Sequence, residues 1–115
     1  MVETVAKIQT HGGTDTLSRE MYFPTMVYSA KAHDSDEMCA HLLKAIREEM
    51  DRDTKGIERS NYRSLGGWHS HNNLHKDPRF KILTDRLNRM GEGISNNLGY
   101  NKNYRLEVTT MWAIA

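Results

Sequence analysis

A strict alternation of side chains over residues 104–114 restricts the fold more than any other feature of this sequence. Aromatic, aliphatic or methyl-bearing side chains occupy every second position, and a second set of residues lies between them. Tyr104, Leu106, Val108, Thr110, Trp112 and Ile114 alternate with Arg105, Glu107, Thr109, Met111 and Ala113. A period of two residues is typical of a β-strand. Because a lone strand leaves its amide and carbonyl groups unpaired, residues 105–114 require a partner. We expect that partner among the first thirty residues, in a second chain, or in a remaining part of the same fold.

Residues 36–51 have the spacing of an amphipathic helix. Asp34 and Glu37 stand three residues apart, as the two members of a capping box do. Apolar residues then recur every four positions, at Met38, Leu42, Ile46 and Met50. We therefore predict a helix over 36–51, with Leu42 and Ile46 buried.

A second helix is predicted over residues 78–98. Asp77 is a capping residue type, and Pro78 is favourable at the first helical position. Apolar residues follow at steps of three and four: Phe80, Leu83, Leu87, Met90, Ile94 and Leu98. We expect Leu83 and Leu87 to be buried. Gly91 and Gly93 each weaken this helix by about 1 kcal/mol relative to alanine. We therefore expect a break or a close contact between helix and sheet at these glycines.

The first thirty residues are predicted to hold one clear strand. Residues 1–19 include a polar, glycine-containing stretch, and we interpret them as a flexible arm or a weak strand. Residues 25–30 follow a proline, which is compatible with an edge strand, and several of them are apolar. With the two helices this gives an α+β fold, two helices packed on a sheet, in which residues 20–115 form one domain or one piece of a domain.

The composition excludes several classes of protein. The 115 residues include 16 Lys and Arg against 15 Asp and Glu, a net charge of +1, so no global field favours a nucleic acid or a membrane surface. The single cysteine, Cys39, cannot form an internal disulfide, which indicates a reducing compartment. The first ten residues lack the apolar stretch of a signal peptide or membrane span. We expect a cytoplasmic protein with no membrane partner.

The candidate functional residues lie in an irregular loop, residues 53–76, between the two predicted helices. His69, His71 and His75 fall within seven residues, and a His-x-His pair is a plausible start to a metal site. No nearby carboxylate except Asp77 completes such a site, so we interpret the three as hydrogen-bonding loop histidines, with a metal site as the alternative. Trp68 follows two glycines and either covers a ligand or fills the end of the core.

Basic and aromatic side chains are interleaved in the same loop. Arg59, Arg63 and Lys76 stand among Tyr62 and Trp68, a composition used for phosphate and base contacts. No known RNA- or DNA-binding motif accompanies these residues. We therefore do not expect a nucleic acid as partner.

The order of several short motifs resembles one protein family. The motifs are Phe23-Pro24-Thr25, Ser60-Asn61, Gly66-Gly67-Trp68-His69-Ser70, Leu74 and Thr109-Thr110-Met111-Trp112-Ala113. Over residues 20–115 the sequence is similar to a family of 2-oxoglutarate- and iron(II)-dependent oxygenases of bacteria and phages, whereas residues 1–19 match nothing in it. Gly-Gly-Trp-His-Ser is the most specific element, and the common order of the motifs carries the resemblance.

The resemblance implies both a fold and an activity. In the family the sheet closes into a double-stranded β-helix, the jelly-roll or cupin-like form of an antiparallel sandwich. The implied activity is hydroxylation of a substrate coupled to the conversion of 2-oxoglutarate to succinate, with Fe(II) and 2-oxoglutarate as cofactors. The family's iron ligands follow the Trp-Ala strand, so they are expected beyond residue 115. This chain would then be the N-terminal portion, inactive alone and binding neither cofactor.

The resemblance assigns a substrate-side loop to this chain and no catalytic residue. The residues of that loop are Asn61, Gly66, Gly67, Trp68, His69 and His71. A second hypothesis is a non-catalytic binding or assembly module whose exposed edge strand pairs with a second chain. A His-x-Asp or His-x-Glu pair soon after residue 115, with a further histidine downstream, would favour the oxygenase.

Overall fold

The computed structural model describes residues 2–22 and 25–115, which form three strands followed by helices. The strands are β1 (Val2–Thr10), β2 (Gly13–Tyr22) and β3 (Thr25–Lys31), and the α-helices are α1 (Ser35–Arg52), α2 (Gly56–Arg59) and α3 (Lys81–Leu98). Single 3₁₀ turns lie at Arg63–Leu65, Leu74–Lys76 and Pro78–Phe80. The arrangement is α+β, as predicted, and its strands form a three-stranded antiparallel sheet.

The described chain divides into two compact units. The first contains the described residues up to Ser35 together with Asp85–Glu107. The second contains Asp36–Thr84 together with Val108–Ala115. The sheet therefore belongs to the first unit, and the loop of residues 53–76 belongs to the second.

The sheet of the first unit has the strand order β1-β2-β3. Thr10 pairs with Gly13, so His11 and Gly12 form a two-residue turn. Gly12 has a φ of 72°, a left-handed conformation that glycine adopts without steric penalty. Of the two alternatives for residues 1–19, the strand is the one observed, and these residues contribute to two strands. The predicted strand over 25–30 is confirmed as β3, while Phe23 and Pro24 of the Phe-Pro-Thr motif lie outside the described residues.

Helix α3 approaches the sheet closely at Gly93. A Cβ atom at this position would lie 2.9 Å from Cδ1 of Ile8 and 3.2 Å from Cδ2 of Leu17. Leu17 is almost completely buried, so this space cannot widen without moving the core of the unit. The close contact between helix and sheet that the sequence predicts at this glycine is therefore confirmed.

Polar side chains connect all three strands to α3. Arg19 of β2 donates hydrogen bonds to Oδ1 of Asn97 at 2.9 Å and to Oε2 of Glu3 at 2.5 Å. The Tyr28 hydroxyl of β3 donates to the same Asn97 oxygen at 2.6 Å. Because Glu3 belongs to β1, this cluster crosses the whole width of the sheet.

The core of the second unit forms around three buried residues, Ala45, Leu74 and Phe80. Partly buried side chains from α1 and from the C-terminal segment pack against them: Leu42, Ile46, Met111 and Ala113. The periodicity of the first predicted helix thus identifies a face that contacts a core, although Leu42 and Ile46 are half-buried rather than fully buried.

Both predicted helices are confirmed. The first is α1, and the second is the 3₁₀ turn Pro78–Phe80 followed directly by α3. Asp77 accepts a hydrogen bond from the backbone N–H of Arg79 at 2.9 Å and so caps this turn. At its other end α3 stops before Gly99, whose φ is 69°.

The buried face of α3 differs from the prediction at Leu83 and Leu87, neither of which is fully buried. Leu87, expected to be buried, is 42% exposed, whereas Arg86 is buried. Leu83 is half-buried. Arg86 lies inward because its guanidinium pairs with the carboxylates of Asp34 and Asp15. Apolar spacing alone contains no information about such a charge pairing.

The predicted strand over residues 105–114 is wrong. Residues 105–110 form no strand, and only Met111 and Ile114 make single bridges, each to the loop of residues 68–74. The face is inverted as well, because Met111 and Ala113 pack on the core while Trp112 and Ile114 are exposed. The segment pairs with the irregular loop of residues 68–74. Such a loop cannot continue a hydrogen-bonded ladder as a strand does, so only isolated bridges form.

Replacing Gly93 by valine tests the contact between α3 and the sheet. The new side chain would overlap Ile8 and Leu17, so we expect the free energy of unfolding to fall by about 1–3 kcal/mol, the usual cost of overpacking. Urea denaturation followed by circular dichroism measures this change. Asn96→Val, at an exposed position of the same helix, controls for the helix propensity of a β-branched residue. Equal effects of the two substitutions would contradict the close contact.

Candidate functional site

Trp68 of the Gly-Gly-Trp-His-Ser motif is a core residue. It is 2% exposed, and its indole Nε1–H donates a hydrogen bond to the backbone carbonyl of Asp53 at 2.8 Å. Gly56 lies directly against the indole, where a Cβ atom would overlap the ring. These contacts support the second interpretation of Trp68, the filling of the core, and leave almost none of its ring accessible to a ligand.

The two glycines before Trp68 satisfy different constraints. Gly66 ends the 3₁₀ turn Arg63–Leu65 with a φ of 81°, which is strained for most other residues. At Gly67 a Cβ atom would lie 2.7 Å from Oγ of Ser60. Ser60 is buried, and its Oγ accepts a hydrogen bond from the backbone N–H of Tyr62 at 3.1 Å. Both glycines therefore have structural roles. Gly66 adopts a left-handed backbone conformation, and Gly67 allows the chain to pass close to Ser60.

Hydrogen bonds join the loop to residues 113–115. Trp68 N–H donates to the Ala115 carbonyl at 2.6 Å, and Ala115 N–H donates to the Trp68 carbonyl at 2.9 Å. Ser70 N–H donates to the Ala113 carbonyl at 3.0 Å, and the Ser70 Oγ accepts the N–H of Ala113 at 2.9 Å. Ser70 is absent from the predicted site residues. Its position two residues after Trp68, on the same side of an extended segment, is the signal that could have found it.

His69 lies on the other side of this segment and stacks on Trp112. The two ring centroids are 6.2 Å apart, and the ring planes differ by 11°. His69 Nδ1 lies 2.7 Å from the Ser70 carbonyl oxygen, so Nδ1 carries the proton and Nε2 is an acceptor when the ring is neutral. Because Trp112 is 51% exposed, the pair forms a flat, partly accessible aromatic surface.

His71 faces a carboxylate that an arginine already binds. Its Nε2 atom lies 3.7 Å from Oδ2 of Asp53, and Arg59 pairs with the same oxygen. Arg59 Nε also donates to the carbonyl of His69 at 3.0 Å. His71, Asn61 and Gly66 are exposed, so these three predicted residues are ones that a ligand can reach directly.

The three loop histidines do not converge on one point. His69 stacks on Trp112, His71 faces Asp53, and His75 is half-buried with its Nδ1 atom lacking a hydrogen-bond partner among the described residues. Within residues 2–22 and 25–115, no three His, Cys, Asp or Glu side chains are placed to hold a metal ion. The described residues therefore do not support the alternative of a metal site at these three histidines.

A cleft of about 300 Å³ opens beside the C-terminal end of α1. Its lining residues are Glu49, Arg52, Asn73, Leu74, Lys76, Asp77 and Pro78. Glu49 is buried, and its carboxylate is bound by Arg79 at 2.5 Å and by Arg52 at 2.6 Å. Burial raises the pKa of Glu49, but hydrogen bonds from the two guanidinium groups outweigh it and hold the pKa below its ordinary range. The buried carboxylate at this cleft is therefore paired with two guanidinium groups, an arrangement that the sequence did not reveal.

A scan against protein-family models, a search of curated proteins and a search of solved structures each give no match for this chain. Among the helices of the described residues, none is long and apolar enough to cross a membrane. The function is therefore argued from the motifs and from the contacts of the residues themselves.

Replacing Trp68 by alanine separates a core role from a ligand-binding role. Loss of a buried tryptophan costs about 3–5 kcal/mol, so we expect a large fall in the free energy of unfolding. Trp112→Ala is the matched control, because it removes the same side chain from a half-exposed position, and we expect a loss of about 1 kcal/mol or less. Urea denaturation measures both. A loss for Trp68→Ala no larger than that for Trp112→Ala would contradict the core assignment.

Proposed function

We propose that this chain is the N-terminal portion of a 2-oxoglutarate- and Fe(II)-dependent dioxygenase that hydroxylates its substrate in the cytoplasm. The observation that carries the proposal is the order of the motifs, above all Gly66-Gly67-Trp68-His69-Ser70 followed, after the second helix, by Met111-Trp112-Ala113. The same order occurs in the bacterial and phage family that the sequence resembles. The iron ligands and the basic residue that pairs with 2-oxoglutarate are expected beyond residue 115.

Direct contacts between two of the motifs support the proposal. Each short motif alone is a weak signal. Here the loop motif and the Trp-Ala motif, which lie far apart in sequence, exchange hydrogen bonds through Trp68, Ser70, Ala113 and Ala115. Two chance matches would have no reason to pair. The motifs therefore belong to one physical arrangement.

The loop divides into a buried support and an exposed rim. Trp68 and Ser70 are buried and held by hydrogen bonds, whereas Asn61 and His71 are exposed. His69 adds its stacked surface to this rim. Polar and aromatic groups on a rigid support are suited to bind and orient a substrate. In the proposal this chain positions the substrate and limits the access of water, and residues beyond 115 bind the cofactors.

The jelly-roll part of the proposal is supported by the sheet of the first unit. Both β1 and β3 are edge strands of an antiparallel sheet, and an edge strand offers unpaired backbone groups to further strands. In the proposal such strands close the sheet into a double-stranded β-helix, with the helices on its outer side.

The reading frame beyond residue 115 tests the proposal directly. We expect a His-x-Asp or His-x-Glu pair soon after Ala115, a further histidine downstream and then a basic residue. The protein encoded by the whole reading frame should form succinate from 2-oxoglutarate when Fe(II) is added, which mass spectrometry measures. A reading frame without these residues, encoding a protein that forms no succinate, would contradict the proposal.

Iron binding by the 115-residue chain provides a second test. We expect weak or no binding of Fe(II) in anaerobic calorimetry, because the loop histidines face different partners. Tight, stoichiometric binding would place the metal site in the loop instead, if His69→Ala or His71→Ala abolished it. His41→Ala is the control, because His41 is exposed and its Nε2 lies 2.7 Å from the carbonyl of Arg79, outside the loop motif.

A second candidate function, a non-catalytic binding or assembly module, is favoured by apolar side chains at one end of the sheet. Met21 of β2 pairs with Met26 of β3, and both side chains are exposed, as are Tyr22 and Val27. A second chain could extend the sheet along β3 beside these side chains. The reading frame discriminates between the two functions, because a binding module requires no iron motif.

A further inference from the structure

A group of charged side chains in the first unit forms what we call the His33 network, which consists of Asp15, His33, Asp34 and Arg86. Asp15 is 1% exposed and Arg86 is 5% exposed. Arg86 donates to both carboxylate oxygens of Asp34, at 2.7 and 3.0 Å, and its Nε lies 3.6 Å from Oδ2 of Asp15. Two carboxylates and one guanidinium leave one negative charge in excess. A protonated His33 cancels that charge.

Both ring nitrogens of His33 face hydrogen-bond acceptors. Nδ1 lies against Oδ1 of Asp15, and Nε2 lies 2.9 Å from the backbone carbonyl oxygen of His11. The backbone N–H of His33 also donates to Oδ1 of Asp15, at 2.9 Å. A neutral imidazole carries one N–H, whereas the imidazolium carries two. Only the protonated ring can therefore donate to both Asp15 and His11.

We propose that His33 is a proton-dependent clamp on the turn between β1 and β2. The protonated ring ties the His11 carbonyl of that turn to Asp15 on β2 and to the residues that lead from β3 into α1. When the ring loses its proton and keeps the hydrogen bond to Asp15, the lone pair of Nε2 faces the lone pairs of the His11 carbonyl oxygen. The turn of His11 and Gly12 then moves away from the ring.

Groups from every element around His33 act on its ring. The hydroxyl and carboxylate groups that face it come in turn from β1, β2 and the connection to α1: Thr10, Asp15 and Asp34. Arg86 of α3 acts on the ring through its ion pairs with Asp15 and Asp34. Thr10 Oγ1 lies 3.5 Å from Nδ1, and Oδ1 of Asp34 lies 4.0 Å from Nε2. Gly13 packs against the ring, since a Cβ atom there would lie 2.6 Å from Cδ2 of His33. In the observed structure the ring is therefore packed against Gly13, the residue that follows the turn.

The electrostatics of the network favour the charged ring. The hydrogen bond to Asp15 raises the pKa of His33 above its ordinary value, and partial desolvation opposes this only in part. Burial raises the pKa of Asp15, but hydrogen bonds from the backbone and ring of His33 outweigh it and lower the pKa below its ordinary range.

These directions define the pH range of the clamp. The contribution of His33 is complete below its unfolded pKa of about 6.5 and is lost as the pH rises through the higher folded pKa. The contribution of Asp15 is complete above its unfolded pKa and is lost as the pH falls through the lower folded pKa. The clamp is therefore closed between the folded pKa of Asp15 and that of His33, and it opens on the alkaline side by loss of the ring proton.

Hydrogen exchange detected by NMR, with the His33 ring titrated in the same samples, tests the clamp on the 115-residue chain. After correction for intrinsic exchange rates, we expect the protection of amides 10–13 to fall by at least about tenfold as the ring loses its proton, since a hydrogen bond to a charged group is lost. Amides 17–20, in the middle of β2, should keep their protection over the same pH range.

Two variants sharpen this test. His33→Gln should make the protection of amides 10–13 independent of pH, whereas His41→Gln should leave the pH dependence unchanged. The proposal is overturned if the ring titrates with no change at the turn, or if it stays neutral from pH 5 upward. Because the wild-type titration alone reports both quantities, the test holds even if His33→Gln does not fold.

Discussion

The hydrogen bonds between residues 68–74 and 111–115 are the interaction on which the second unit depends. The loop has neither helical nor strand periodicity, so it cannot satisfy its own backbone groups by regular structure. Pairing with the C-terminal segment supplies these partners. Within it, Leu74 N–H donates to the Met111 carbonyl at 3.1 Å, and Met111 N–H donates to the Asn72 carbonyl at 2.9 Å. The same pairing directs Met111 and Ala113 toward Ala45 and Phe80. The C-terminal segment therefore both hydrogen-bonds the backbone of the loop and packs on the core of the second unit.

Hydrophobic pattern identified both helices and β3 but failed for two other segments in opposite ways. The helices follow from spacings within a single segment, as at Leu42 and Ile46. Strand β2 gives a weak signal because two of its inward residues, Asp15 and Arg19, are charged and reach neutrality through partners elsewhere in the unit. Residues 104–114 give a strong signal and yet form no ladder, because their partner is a loop. Strand formation depends on a partner that local sequence does not contain.

The contacts made within the candidate loop could be predicted from its sequence only in part. The loop of residues 53–76 does bring the motif residues together, and the glycines before Trp68 do serve a backbone requirement. The division between buried Trp68 and accessible His71 could not be predicted, because both residue types occur in either role. The backbone carbonyl of Asp53 accepts the indole hydrogen bond of Trp68, and its carboxylate faces His71. Asp53 nevertheless lies more than a dozen residues from both in the sequence. Spacing cannot reveal a contact of that kind.

Both units place charged groups where a larger apolar core would otherwise lie. Only 37% of the residues are hydrophobic, and two inward positions hold buried charges, Arg86 and Glu49, which pair with the half-buried Asp34 and Arg79. Removing one partner of a buried pair typically costs about 3–5 kcal/mol, whereas replacing a whole pair by apolar groups is often neutral. Such pairs therefore add little net stability, but they penalise any packing that separates the partners. In a chain with a small apolar core, such pairs therefore favour one packing arrangement over the others. They also make the stability of the chain depend on the protonation of the groups involved.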